Sequence, residues 1–547
     1  MKTKSTNIKY VFITLMAGIL FFSCNDFLAE HPTGTLTDEA QITSIPGGIA
    51  LATGAYRALP DWTGGGNVWG SSLPGSLEYP TGKAYAQYMG SDLWKYETDI
   101  MDGTHPYFTT IWNNWYRGVR DANLAIKMLP GVTQMPEADR SKYMGEVRTL
   151  RAFYYFCLVR LYGDVIANTT VLQNVNDAQQ PRTSLVNIYD EIIVPDLEFA
   201  VNESSLPDTR STDGRVTKHV ARAILADVYL TMAGYPYQEA KTDPSKKWCE
   251  TGSWAMTEYP VNTPSAKELL QKAKTQLDFL YGKYPIGKFS DLNNPEMDNQ
   301  GGAIFQIQYA SGIRNNGLIV NTLPLSLQIS VFDVETGTFI PSTEYYNSYN
   351  PADLRLVDRE GYFYGSDTKA AKYDPNESPA PKFATKYLQK YYDKDAIKRS
   401  ARSGLNFNLY RYADILLMQT EVNWALNRLG VTIPANDIVK GINEVRTRAG
   451  LSSYSAEGLT LLDIMSERAY ELVFENKMLW DQRRTRKVLV DGSGQFTSIE
   501  NFVGHQPVNF NFEFSNKHLL SPVSGTELDN NKKCTQNFEW LPLQKGE

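Results

Sequence analysis

Residues Glu146–Val165 read EVRTLRAFYYFCLVRLYGDV. Leu150, Phe153, Tyr154, Cys157, Leu158 and Leu161 recur at i, i+3, i+4, i+7, i+8 and i+11. That is the apolar stripe of an amphipathic helix. Arg148, Arg151 and Arg160 lie off the stripe. Gly163 ends the pattern where a helix C-terminus needs a residue free to take positive φ. Arginines beside aromatics could form a contact surface. Burial, however, accounts for most aromatic residues at helical spacing, so the stretch reads first as a packed scaffold helix. Its arginines should then meet carboxylates, with Glu467, Glu471 and Glu475 on a later helix as candidates for Arg148 or Arg151.

Similar periods recur outward from this helix. Helices are expected over residues 38–59, 110–129, 187–201, 265–281, 409–429, 436–449 and 461 to about 484. Another carries Ala221, Ile224, Leu225, Val228 and Met232. Pro195 falls inside the 187–201 pattern and should kink or divide it. Ala303–Tyr309 alternates like a short strand. The tail from 486 reads as irregular. Helices joined in pairs by short links suggest a solenoid of helix hairpins, although no strict 34-residue period is visible.

Two regions break the helical texture. Residues 60–108 contain Gly64-Gly65-Gly66, Pro74, Gly75, Pro80, Gly82, Gly90 and Gly103. Into this region fall Trp62, Trp69, Tyr79, Tyr85, Tyr88, Trp94 and Tyr96, with Asn67, Asp92, Asp99 and Asp102. The second region, about 285–405, is rich in Asn, Gly and Tyr. Long loops crowded with rings are usually functional, though some of these rings will serve to pin the loops onto the helices.

The chain has 547 residues, 12% aromatic content, 33 Tyr and 10 Trp. Tyr and Trp offer flat apolar faces with polar edges, which suits a carbohydrate or peptide surface as well as a Tyr-rich core. Net charge is −7, which argues against a nucleic-acid partner.

Residues 1–23 read as a signal peptide. Lys2, Lys4 and Lys9 form a positive start, and Tyr10–Phe22 is an apolar run too short to span a bilayer comfortably. Phe21-Phe22-Ser23-Cys24 has the small residue before Cys of a bacterial lipobox, with Phe21 in place of the usual Leu. Cleavage there would leave Cys24 as an acylated first residue, and several acyl chains anchor stably. The alternative is an ordinary signal peptide with an incidental Cys. Cys157, Cys249 and Cys534 remain, so at most one disulfide can form within the chain. Five scattered His and no CxxC give no metal site, and no cofactor is implied.

No G-x-S-x-G, HExxH or phosphate-binding loop occurs. Asp92 and Asp99 are the carboxylates nearest the aromatic loop, but loop spacing sets no distance between them of the kind a glycosidase needs. An enzyme is not expected.

In order along the chain, the sequence resembles the SusD/RagB-like outer-membrane lipoproteins of Bacteroidetes. The resemblance runs through Cys24 with Asp26-Phe27-Leu28 and Pro32, then Trp112, Tyr116, Ala122 and Asn123. The opening stretch matches the family's R-A-x-x-[YF] helix ending in Tyr162-Gly163-Asp164-Val165, with Ile166 for the usual Pro. Gly214–Leu230, then Pro341-Ser342 with Glu344, Tyr349, Asp353 and Arg355, follow the pattern. So do Arg411-Tyr412-Ala413-Asp414 with Glu421, Val445–Gly450, and Glu467-Arg468 with Glu471 and Glu475. Glu527, Leu528, Asn531, Gln536 and Asn537 match the ending. Asn476 stands for a usual Gly, Met478 for a usual Arg, and Lys532 and Phe538 for usual prolines, marking a divergent member.

The resemblance implies a mainly α fold: a tetratricopeptide-like scaffold of helix pairs, an irregular loop-rich ligand-binding half and small β pieces. It would form one domain over 24–547, with insertions at about 60–108 and 285–405. It further implies a lipid-anchored protein on the outer membrane, facing the cell exterior. Such a protein would capture oligosaccharides, or peptides in some members, for a SusC-like TonB-dependent transporter, without chemistry on the ligand. A purely structural helical adaptor is the remaining alternative. The family's motifs do not define ligand residues. From the loop aromatics, the expected contacts are Trp62, Asn67, Trp69, Tyr85 and Trp94, with Tyr309, Arg314 and Asn315 from the second insertion.

Overall fold

The computed structural model describes residues 43–61, 68–86, 93–172, 174–242, 259, 264–322, 338–357, 360–364, 383–384 and 403–540. The signal-peptide reading, Cys24 and Cys249 lie outside the described residues.

The fold is mainly helical. The scaffold helices are α1 (Ile45–Gly54), α2 (Pro106–Met128), α3 (Glu137–Tyr162), α4 (Val194–Asn202), α5 (Lys218–Met232), α6 (Pro264–Leu280), α7 (Tyr412–Arg428), α8 (Ala435–Arg448), α9 (Leu461–Glu471) and α10 (Met478–Thr485). From α2 to α8 each helix packs against the next, giving the stacked hairpins that the periodicity suggested. Local chemistry starts them. His105 Nδ1 accepts the Tyr107 N–H and Pro106 opens α2, while Thr460 and Asp463 form a capping box on α9.

The decisive stretch is α3, and it is buried on all sides rather than along one stripe. Besides the six stripe residues, Tyr155, Phe156, Val159 and Tyr162 are enclosed. Its arginines do find carboxylates, but not those of α9. Arg148 Nε donates to Asp196 Oδ1 at 2.6 Å. Arg151 grips the same carboxylate at 2.7 and 2.9 Å and donates to Asn123. Asp196 sits in the first turn of α4, the neighbour of α3, and that proximity makes it the partner. Arg160 pairs with Asp227 and lies between the Phe156 and Trp480 rings. At its end, Gly163 takes φ +73°.

Several expected boundaries shift. Pro195 lies near the start of α4, directly after a π-turn at Tyr189–Ile193 that divides the helical run. Phe407–Arg411 is a strand, so α7 begins at Tyr412. The 461–484 pattern breaks between α9 and α10, where Phe474 and Asn476 take positive φ. The tail contains a hairpin that its composition did not signal.

Strands form four antiparallel pairs among the described residues: β1 (Ala84–Tyr85) with β3 (Ile340–Pro341), β2 (Ala303–Ile307) with β6 (Phe407–Arg411), β4 (Phe363–Tyr364) with β5 (Phe383–Ala384), and β7 (Lys487–Asp491) with β8 (Phe496–Asn501). The β1–β3 pairing joins the two loop-rich regions to each other. They meet again at Gly70, where a Cβ would lie 2.9 Å from the Gly317 and Leu318 backbone, and Asn321 donates to Gly70 O at 2.6 Å.

The family-like motifs build the interior. Arg355 is bound by Asp353, Glu467 and Glu471. Arg411 is held by Glu471 and Glu475, while Arg446 and Arg448 close on Glu467 and Glu471. A second cluster joins Arg468 and Lys477 to Asp414, Arg468 and Arg484 to Asp481, and Arg484 to Glu421. In each cluster the charges match one for one, as burial of so many ions demands.

The C-terminal tail returns to the first helices. Ser521 N–H donates to Leu161 O at 2.7 Å. The Asn537 amide donates to Tyr162 O at 3.0 Å, and Arg182 bridges Tyr162 O and Asn537. These bonds satisfy carbonyls that the end of α3 would otherwise leave open.

Candidate ligand-binding face

The expected contact residues divide into three groups. Trp62 and Asn67 lie outside the described residues. Trp69 is 2% exposed, stacked on Phe153 at 6.5 Å and tilted against Phe407 at 5.5 Å. Its ring is core, and it is withdrawn from the ligand set. Tyr85 and Trp94 are 45% and 42% exposed, so their rings are open to solvent.

Tyr85 stands on β1 opposite Ile340. Trp94 opens the short helix Trp94–Glu97, which is tied down at several points. Glu97 accepts the Tyr79 hydroxyl at 2.5 Å, Tyr96 donates to Ser76 at 3.3 Å, and Glu97 O accepts Asn511 N–H. Just beyond, Asp99 (φ +58°) takes His518 Nε2 at 2.9 Å and Lys517 Nζ at 2.8 Å. Burial opposes ionisation there, but the bonds from His518 and Lys517 hold the Asp99 carboxyl below its usual range. Asp99 is thereby committed to anchoring the loop. Asp92 lies outside the described residues.

Tyr309, Arg314 and Asn315 share one turn, closed by an Ala310–Arg314 bridge. Tyr309 is only 8% exposed. Its N–H donates to Asn406 Oδ1 at 2.9 Å, and its buried hydroxyl has no hydrogen-bond partner among the described residues. Arg314 donates to Asp61 O, and Asn315 Oδ1 accepts Gly312 N–H at 2.9 Å. The turn thus holds the start of the first loop region. Arg314 and Asn315 are half-buried, and both have backbone work. No hydrogen bond, ion pair or ring contact joins Tyr85 or Trp94 to this turn.

Ile313 at the tip of the turn is 80% exposed and escaped the sequence reading, because a single aliphatic between Gly312 and Arg314 carries no pattern. Among the described residues no cluster of His, Cys, Asp or Glu could hold a metal ion, and no helix is long and apolar enough to cross a membrane. Cys157 and Cys534 are free, buried thiols.

Residues 334–540 match the model of the SusD family, and residues 76–230 match a second, described as "Starch-binding associating with outer membrane". A relative, SusD-like protein P2 of Formosa agariphila, is 24% identical over 97% of this chain and 98% of its own length. A SusD superfamily protein from Parabacteroides distasonis aligns with a TM-score of 0.75 and 28% identity, over 90% of this chain and 99% of that one. Surface glycan-binding protein A from Bacteroides thetaiotaomicron, in complex with laminarihexaose, aligns with a TM-score of 0.66 and 20% identity, covering 90% and 99%. The fold is therefore that of the SusD superfamily. The chain is a divergent member of the SusD-like family.

Proposed function

We propose that the protein is a lipoprotein of the cell surface, anchored through Cys24, that captures oligosaccharides and delivers them to a SusC-like TonB-dependent transporter. The observation that carries the binding reading is the pair of half-exposed rings, Tyr85 and Trp94, on elements fixed to the core. A ring face open to water stacks on the apolar face of a sugar, and each contributes about 0.5–1.5 kcal/mol. The similarly folded protein holding laminarihexaose supports a glucan as ligand class. The matched description "associating with outer membrane" supports the location. The motif carboxylates inside the scaffold are committed to arginines and a lysine, which supports capture without catalysis.

Calorimetry against a panel of soluble glucans, xyloglucan fragments and peptide pools tests the proposal. A glycan should bind, and Tyr85→Ala with Trp94→Ala should weaken it by about 10- to 100-fold. Unchanged affinity would remove this face from the site. Binding of peptides alone would replace the ligand class. Co-purification with a β-barrel transporter tests delivery.

A further inference from the structure

Arg483, in the last turn of α10, is buried to 8% exposure. Its Nε donates to His518 O at 3.0 Å, while Nη1 is enclosed and has no hydrogen-bond partner among the described residues. Among the described residues no carboxylate pairs with it, unlike Arg355, Arg411, Arg468 and Arg484 in the same interior. Removing one ion of a buried pair leaves a charge that the interior does not tolerate, and arginine does not solve this by releasing its proton. Burial draws its pKa down to about 9, and Arg486 adds to the effect; the group still carries its charge at neutral pH.

The side chain lines a small cavity of about 30 Å³, room for one or two water-sized groups. The walls include Tyr96, Phe502, Phe512, Phe514, His518 and Trp540. No acid is among the residues that line it. The charged groups near the cavity are Arg483, Arg486, whose Nη1 donates to Arg483 O and which feels Glu239, and Lys517, which Asp99 offsets; burial lowers the His518 pKa and favours its neutral form. The sum over these groups is positive.

We propose that the cavity beside Arg483 is a binding site for a small monovalent anion, of halide or short-carboxylate size, that completes the guanidinium's hydrogen bonds. The anion would tie α10 to the C-terminal segment that carries His518 and Trp540. This site is separate from the sugar-binding reading and lies beneath the helix bearing Trp94, since Tyr96 forms part of its wall.

Crystals of the protein soaked in bromide give the direct test. An anomalous peak within about 3.5 Å of the Arg483 Nη atoms supports the site, and its absence, together with no carboxylate density in halide-free acetate crystals, overturns it. Occupancy in one soak and not the other assigns the source. In solution at fixed ionic strength, chloride or acetate replacing a bulky anion should raise the wild-type Tm saturably by about 2 °C. Arg483→Met should lose that response. An equal response in the variant would overturn the proposal.

Discussion

Asn476 shows how one backbone angle can be read from a departure in sequence. It sits at φ +58° between α9 and α10, its N–H donates to Glu78 Oε1 at 2.5 Å, and both polar atoms of its buried amide lack hydrogen-bond partners among the described residues. The family pattern has Gly here, which takes that angle at less cost than Asn. Asn476→Gly should therefore stabilise the protein by about 1 kcal/mol, after the larger unfolded-state entropy offsets part of the gain; urea unfolding measures it. Trp69 and Trp94 diverge the same way. Trp69→Ala should cost about 3–5 kcal/mol of stability and leave ligand affinity of the folded protein intact. Trp94→Ala should leave stability within about 0.5 kcal/mol and weaken binding. Sequence could not separate these two rings. The burial of Trp69 is decided by Phe153 and Phe407, far away along the chain, and the helical turn Val68–Ser72 that bears it is too short for a period to reveal a facing side.

Among elements, helices with strong periods were legible, and their partners were not. The stripe of α3 predicted burial, yet nothing in Arg148 or Arg151 names Asp196, which becomes a neighbour only once α3 and α4 pack. Asp196→Ala should cost about 3–5 kcal/mol by stranding Arg151, measurable as a lower urea midpoint with unchanged slope. Leu409–Arg411 read as the start of a helix because a short apolar run supports either period; pairing with β2 settled it. Between α9 and its neighbours, burial alone would push the Glu471 carboxyl up, but Arg448, Arg411 and Arg355 outweigh it and hold it well below the usual range. Its stabilising effect is complete above ordinary carboxylate pH and is lost as pH falls toward the depressed folded value. Glu471→Gln should be less stable at neutral pH and lose less stability on acidification; denaturation curves from pH 7 to 3 compare the two slopes.

For the whole molecule, the ordered motifs along the chain revealed the scaffold because those motifs are the buried ion clusters themselves. The proposed ligand face rests on Tyr85 and Trp94, which loop composition singled out and which are half-exposed; of the second group, Arg314 ties the second loop region to Asp61 O, and Asn315 closes its own turn on Gly312. At this scale the anchor also has a test: Cys24→Ala should move the protein from the membrane to the soluble fraction, and continued membrane association would refute lipid attachment.

The returning tail has a further consequence, for the order in which the chain can fold. The end of α3 is closed by Ser521 and Asn537, residues synthesised hundreds of positions later. A nascent chain that has emitted α2 and α3 lacks the groups that close the end of α3, so that end stays open until nearly the last residue has emerged. Chains halted before residue 519 should be digested rapidly by trypsin within α2–α3, where the complete protein resists.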